Sequence, residues 1–310
     1  MSRWTDPDWR ASAHEWINEE LERNGYDLAG EIEQPHVYPW STVMTISTTT
    51  ETLYFKANSP ELAHEAALVS LLATVRPDCI PEPISVDRER GWMLMHDAGT
   101  RLRELIEQER DLARWLEVLP LYADVQIDLN DRVDELLAIE VPDMRLATLT
   151  SKFERFLDEF DDLPPDDLRR LTNALPTIEK MSAELASYRI PETIQHDDFH
   201  DGQVFVRNDR YLLLDWGDAC VSHPFFTLSV TLEGSIAWGL DDVQGSVAIE
   251  PFRDAYLARF AQFGSLADLA AAATIAMRLG WVCRVVNGHI PGDPDPTIVR
   301  LQMLLDGFSI

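Results

Sequence analysis

The segment Gln195-His196-Asp197-Asp198-Phe199-His200-Asp201-Gly202-Gln203-Val204-Phe205-Val206-Arg207-Asn208-Asp209-Arg210-Tyr211-Leu212-Leu213-Leu214-Asp215-Trp216-Gly217 sets five carboxylates and two histidines around two short apolar runs. Val204-Phe205-Val206 and Tyr211-Leu212-Leu213-Leu214 read as strands, and the polar Arg207-Asn208-Asp209-Arg210 between them reads as a hairpin turn. Pairing Val206 with Tyr211 sets Gln203 opposite Leu214 and brings Asp215 beside Gly202 and Gln203. The two ends of the hairpin are then expected to converge on an oxygen-rich pocket of Asp198, the Gln203 amide carbonyl and Asp215. Hard oxygen donors of this kind suit magnesium. A loop aspartate just ahead of such ligands is placed to take a proton from, or orient, a hydroxyl.

His196-x-Asp198, an amide after four intervening residues at Gln203, and then Asp215-Trp216-Gly217 resemble the catalytic loop and metal turn of the aminoglycoside phosphotransferase family. That family shares a protein-kinase-like fold with choline kinases and maltokinases. The resemblance implies an α+β, bilobal protein: a small antiparallel β-sheet N-lobe and a mainly α-helical C-lobe. It implies ATP (or GTP) and Mg2+ as cofactors. Asp198 would be the catalytic base or hydroxyl-orienting group, with Gln203 and Asp215 the metal ligands. The amide is usually asparagine in the family, so Gln203, one methylene longer, is a departure that bears on the metal site more than on the fold.

Composition narrows the partners. Fifty-four acidic against 26 basic residues give a formal charge of −28, which repels nucleic acid and anionic membranes and suits a cationic ligand. Cys79, Cys220 and Cys283 lie far apart with no C-x-x-C spacing, so neither a disulfide framework nor a zinc site is indicated. No run of about 18 apolar residues suggests a membrane span, and the N-terminus has no apolar leader core. A cytoplasmic location is expected. Lysine occurs only at Lys56, Lys152 and Lys180, so each one merits attention in a protein expected to hold a nucleotide's phosphates.

Taken in order, residues 8–24 space Trp9, Ala13, Trp16, Ile17 and Leu21 at helical intervals. Strands follow from Ile32 to Asn58, with a hairpin of 41–48 and 53–57 turning at Thr49–Thr52. No glycine stands between Gly30 and Gly91, so the glycine-rich phosphate loop of protein kinases is missing. Pro39-Trp40-Ser41-Thr42 is expected to offer backbone N–H groups and the Ser41 and Thr42 hydroxyls instead. Lys56 sits on the second strand of the hairpin, placed to hold the α/β-phosphates. Residues 61–75 form a helix. Glu65 is chosen over Glu61 as the partner of Lys56, because the family places its glutamate in such an E-x-x-L-L segment and a first-turn glutamate can merely answer the helix dipole.

Two further strands, 84–86 and 91–95, lead to His96-Asp97-Ala98-Gly99, a linker whose backbone from Met95 to Asp97 is expected to meet the purine edge. The first domain is thus set at 1–96, a nucleotide-binding lobe with a leading helix, and the second at 97–310, a helical lobe with the catalytic and metal loops. Helices are expected near 101–109, 111–139, 149–161, 166–188, 226–239, 247–263, 265–286 and 296–308. Within the second, Leu112, Trp115, Leu116, Leu119, Tyr122, Val125 and Leu129 form a core stripe.

The function expected is phosphoryl transfer to a hydroxyl of a small molecule such as an aminoglycoside or amino sugar, the acidic chain favouring an aminated one. Two alternatives stand beside it. One is a non-catalytic nucleotide-binding protein disabled at Gln203; the other is a zinc-dependent hydrolase using His196, Asp198 and His200, since H-x-D-x-H offers suitable ligands.

Overall fold

A computed structural model describes residues 3–307. The chain divides into two compact units, one running to Arg101 and taking in Val204–Gly217, the other holding Leu102–Gln203 and the chain from Asp218 onward.

The first unit is built on a five-stranded antiparallel sheet of β1 (Leu28–Val37), β2 (Ser41–Thr48), β3 (Thr52–Asn58), β4 (Ser85–Asp87) and β5 (Trp92–His96), in the order β1-β2-β3-β5-β4. Alternation decides its faces: Leu53, Phe55 and Ala57 point one way and are fully buried, while Lys56 and Asn58 point the other. The first face is covered by α1 (Pro7–Arg23). Asp6 caps α1 by accepting from Asp8 N and Trp9 N, and Pro7 stands at its first position. Ala13, Trp16, Ile17 and Leu21 are buried, as their spacing predicts. Trp16, Phe55 and Trp92 meet with ring centroids 5.5–5.8 Å apart, forming the aromatic centre of this core.

The hairpin 204–213 has the register read from sequence, with Val206 opposite Tyr211 and Val204 opposite Leu213. Asn208 and Asp209 both take positive φ, 52° and 58°, which is the backbone a two-residue hairpin turn demands. Its first strand, Val204–Arg207, also pairs with β6 (Thr100–Arg101) and so lies in the middle of a three-stranded sheet.

On the other face, α2 starts at His64 and runs to Val75. The expected helix over 61–75 is preceded by a separate 3-10 turn, Pro60–Leu62, because Asn58 Nδ2 donates to Leu62 O at 3.1 Å and holds that turn.

The second unit contains α3 (Leu102–Glu109), α4 (Trp115–Asp128), α5 (Val133–Ala138), α6 (Leu146–Glu159), α7 (Pro165–Ala186), α8 (Glu250–Leu257), α9 (Leu266–Asn287) and α10 (Asp295–Gly307). Two expectations change here. The helix expected over 111–139 is broken: α4 ends at Asp128, and the poor helix formers Asn130 and Asp131 carry a 3-10 turn before α5. Leu116, placed in the core stripe, is 42 % exposed, whereas Trp115, Leu119, Tyr122, Val125 and Leu129 are buried.

The apolar helix expected over 226–239 is instead a short 3-10 turn, a π turn (Ser229–Glu233) and a second 3-10 segment. Close approach of α9 explains this. Gly280 has no side chain where a Cβ would lie 2.1 Å from Ser229 Oγ and 2.6 Å from Phe226 O, and Ser229 Oγ donates to Met277 O. Gly239, at φ 64°, then ends regular helix. The end of α10 expected at 308 lies outside the described residues.

Candidate active site

In the first unit, β3 delivers Lys56 to the face opposite the aromatic core, and α2 delivers Glu65 in its first turn. Lys56 Nζ lies 2.9 Å from Glu65 Oε1 and 2.7 Å from Oε2. Asn58, two residues along the same strand face, donates to Glu65 Oε2 at 2.5 Å. Glu65 is 1 % exposed and Lys56 8 %, so the pair is buried and hydrogen-bonded on both sides. Glu61, the rejected competitor, is exposed.

Asp215 completes the group. At φ 63° it turns the chain sharply after the hairpin, and its Oδ1 lies 2.5 Å from Lys56 Nζ, with half of its side chain still open to solvent. Burial alone would lower the Lys56 pKa, but Asp215 and Glu65 outweigh it and hold the ammonium well above the ordinary lysine value. Gly217 leaves room for this cluster: a Cβ there would stand 3.5 Å from Glu65 Oε2.

The other predicted nucleotide contacts are placed less favourably. Thr42 is fully buried, its hydroxyl donating to His36 O at 2.7 Å and accepting from Gln34 Nε2 at 2.9 Å, so that hydroxyl is spent within the sheet. Ser41 pairs with Asn58 at the end of β2 and is partly exposed. Met95 pairs with Tyr54. The Asp97 carbonyl accepts from Arg207 Nη1 at 2.5 Å and its carboxylate caps Gly99 N at 2.9 Å. Gly99 is needed there, because at φ 90° a Cβ would fall 2.3 Å from Val206 O. A cavity of about 640 Å3 in this unit, lined by Tyr26, Ile80, Pro83, His96 and Arg207 among others, reaches Asp97 alone of the predicted residues.

In the second unit, the loop after Gln195 is held rigidly from below. Phe199 stacks on Tyr122 with centroids 4.2 Å apart, Tyr122 Oη accepts from His196 N at 2.9 Å, and Thr231 Oγ1 donates to Phe199 O at 2.7 Å. The loop presents Asp198, and α9 reaches it. Arg284, 5 % exposed, places Nη2 2.8 Å from Asp198 Oδ1 and Nη1 3.1 Å from Asp218 Oδ2 and 3.6 Å from Asp197 Oδ2. One turn on, Asn287 Nδ2 donates to Asp197 Oδ2 at 2.9 Å and to Asp218 O at 2.7 Å.

These contacts set the charges. Burial would raise the Asp198 pKa, yet Arg284, with His200 beside it, outweighs burial and holds the carboxyl well below the usual carboxylate range. At Asp197 burial prevails over Arg284 and Asn287, and the pKa rises. Arg284 thus keeps Asp198 ionised.

His200 faces Asp198 Oδ2 through Nε2 at 3.6 Å and Asp201 through Nδ1 at 3.7 Å. Burial would lower its pKa, but these carboxylates raise it to about 9. Nε2 thus faces Asp198, and the Gly202 nitrogen lies 2.9 Å from Nδ1. The zinc alternative does not hold: His196 is wholly buried against Phe199. Among the described residues no three of His, Cys, Asp and Glu are grouped to hold a metal. Magnesium asks for something different, a carboxylate and carbonyl oxygens. Asp215, in the first unit, keeps an open carboxylate, and Gln203, in the second, has its amide nitrogen 3.5 Å from His200 Nε2.

Sequence reading missed Asn58, Asp218, Arg284 and Asn287. Asn58 had a signal, its alternation with Lys56, and Asp218 directly follows the Asp215-Trp216-Gly217 turn. Arg284 carried only the faint mark of a charge within the apolar run of α9.

The profile of the Phosphotransferase enzyme family, APH, matches residues 52–273, and the chain belongs to that family. None of the curated proteins matches it by sequence. Solved structures show the fold. The choline kinase LicA from Streptococcus pneumoniae is 14 % identical, with 96 % of this chain and 99 % of that one covered at a TM-score of 0.63. An ethanolamine kinase from Plasmodium vivax is 13 % identical, covering 97 % and 89 % at 0.64. The structure titled streptomycin-ATP-APH(2″)-IIa ternary complex is 15 % identical, covering 94 % and 96 % at 0.60. The expected α+β architecture, an antiparallel sheet followed by a helical part, is that of these protein-kinase-like phosphotransferases.

Proposed function

We propose that the protein is an ATP- and magnesium-dependent phosphotransferase that moves the γ-phosphoryl group to a hydroxyl of a small molecule. The observation that carries this reading is the buried Lys56–Glu65 pair joined to Asp215 at 2.5 Å, a lysine from strand β3 held by a helical glutamate and a metal-turn aspartate, as phosphoryl transfer in kinase-like proteins requires. Glu65 and Asn58 fix the ammonium in place before any nucleotide arrives, so Lys56 meets phosphate oxygens without reorganising.

Asp198 orients the acceptor hydroxyl. Arg284 holds it ionised and aimed, and the Phe199–Tyr122 stack keeps the loop from yielding. Because the transition state of phosphoryl transfer is loose, a carboxylate that positions the hydroxyl suffices and a strong base is unnecessary. Magnesium, held by Asp215 and the Gln203 carbonyl, would neutralise charge on the phosphate oxygens. Ser41, Met95 and Asp97 are proposed contacts to the nucleotide through their backbone, a role the Thr42 hydroxyl does not share.

The test is ADP release from ATP over a panel of hydroxylated acceptors (aminoglycosides, amino sugars, neutral sugars, amino alcohols and hydroxy acids), with Asp198→Asn as the control. Acceptor-dependent ADP release that disappears in the variant is expected. ATP binding with no turnover on any acceptor would replace this reading with a nucleotide-binding protein.

A further inference from the structure

Behind Asp198, two arginines meet over one glycine. Gly288 follows the last residue of α9 with φ −95°, a conformation open to any amino acid, so the glycine is there for space. A Cβ at this position would stand 2.6 Å from Arg284 Nη1 and 2.9 Å from Arg300 Nη1. Two like-charged groups brought to one point repel each other unless an anion lies between or beside them.

Arg284 spends its charge on Asp197, Asp198 and Asp218, though its buried Nη1 is aligned in no hydrogen bond. Arg300, on α10, has no such outlet. It donates one hydrogen bond, Nη1 to Gly288 O at 2.7 Å, and forms no ion pair among the described residues. A guanidinium has five N–H donors in a fork that matches carboxylate and phosphate. Burial, and then the charge of Arg284, lower the Arg300 pKa to about 10, which leaves it fully charged near neutrality. Asp218, Asp197 and Asp198 reach it only through space.

We propose that the guanidinium pair over Gly288 is an oxyanion subsite, and that the acceptor carries a carboxylate or phosphate group beside the hydroxyl it presents to Asp198. The acceptor part of this inference rests on the phosphotransfer reading; the subsite itself does not. It sets the local charge against that of the whole chain. The net −28 favours cations over the surface as a whole, whereas Arg300 adds a guanidinium, without an ion pair among the described residues, beside the buried Arg284 that holds Asp198. The oxyanion has two sources, the acceptor or a nucleotide phosphate, and the experiment separates them.

The first arm needs no acceptor: inorganic phosphate is titrated into the nucleotide-free protein by calorimetry at fixed ionic strength. Affinity is expected to fall at least tenfold in Arg300→Gln and in Gly288→Ala, which pushes the two guanidiniums apart, and to hold in Lys180→Met, a change at an exposed lysine of α7. Absent binding to the wild type, or unchanged binding in Arg300→Gln, overturns the subsite.

The second arm compares ADP release with glycerol, 3-amino-1,2-propanediol, glycerate and glycerol 3-phosphate, which share one carbon frame. Higher kcat/KM for the anionic pair is expected, with Arg300→Gln raising their KM at least tenfold while KM for ATP holds, and Arg300→Lys recovering part. Preference for the amine, or a rise in KM for ATP alone, overturns the acceptor assignment. Failure of all acceptors in the wider panel sinks phosphotransfer and the acceptor assignment with it, while Arg300-dependent phosphate binding still decides the subsite.

Discussion

Glu65→Gln leaves the Lys56 ammonium buried with one carboxylate instead of two. The partner that remains, Asp215, has 49 % of its side chain exposed, and a half-exposed ion pair contributes only about 0–1 kcal/mol. Breaking a buried pair by removing one side costs about 3–5 kcal/mol. The amide oxygen introduced by Glu65→Gln would keep the hydrogen bond from Asn58, so about 3 kcal/mol is expected, or a fall in Tm of ~5 °C at ~1.5 °C per kcal/mol, from an unfolding entropy of ~2.1 cal/mol/K per residue over the whole chain. Lys56→Met should cost a similar amount, because Glu65, 2 % exposed in its side chain, then lacks its cation.

The double variant Lys56→Met/Glu65→Leu removes both charges from the interior, and its cost should be about 0–2 kcal/mol, well short of the two single costs together. Since the Lys56 pKa is raised above its unfolded value of 10.5, the pair's contribution is fully present below pH 10.5 and is lost only as pH rises through the folded value, so the cycle gives the same answer anywhere near neutrality. Thermal and urea unfolding of the four proteins measure it. Additive costs would refute the buried pair. Calorimetry with ATP completes the design, as the double variant should be folded and still fail to bind.

Three further outcomes follow from the same geometry. Asp198→Asn should lower turnover at least ~100-fold with unfolding unchanged or slightly altered, which steady-state kinetics beside circular dichroism will show; wild-type-like rates would remove Asp198 from its role. Gln203→Asn draws the carbonyl back by one methylene from a loop built for glutamine, so the magnesium concentration for half-maximal turnover should rise; a faster variant needing less magnesium would instead mark Gln203 as a damaged ligand. His223 is wholly buried, its Nδ1 accepting from Phe225 N, and burial lowers its pKa to about 3. Its folded pKa lies below the unfolded 6.5, so stability is present above pH 6.5 and is lost at about 1.4 kcal/mol per pH unit below that, down to about 3. His223→Gln should flatten that acid slope in urea midpoints measured between pH 4 and 7.

Much of this protein was legible in the chain because its signals are local. Alternation in 41–48 and 53–57, the helical spacing of Trp16, Ile17 and Leu21, and the polar Asn208-Asp209 turn each act within a few residues, and the hairpin register followed from them with Val206 opposite Tyr211. The spaced Asp198, Gln203 and Asp215 identified the family, and the scarcity of lysine singled out Lys56. What the sequence could not supply depends on residues far apart along the chain. Which hydroxyls are spent inside the sheet, as Thr42 is on Gln34 and His36, depends on a neighbouring strand. The π turn at Ser229–Glu233 exists because Gly280 admits α9, and no window around Ser229 contains Gly280. Membership of the 204–217 hairpin in the first unit is likewise a matter of packing. Above all, Arg284 reaches Asp198 from 86 positions downstream and decides that carboxylate's charge, because electrostatic energy falls with distance in space and is indifferent to separation along the chain.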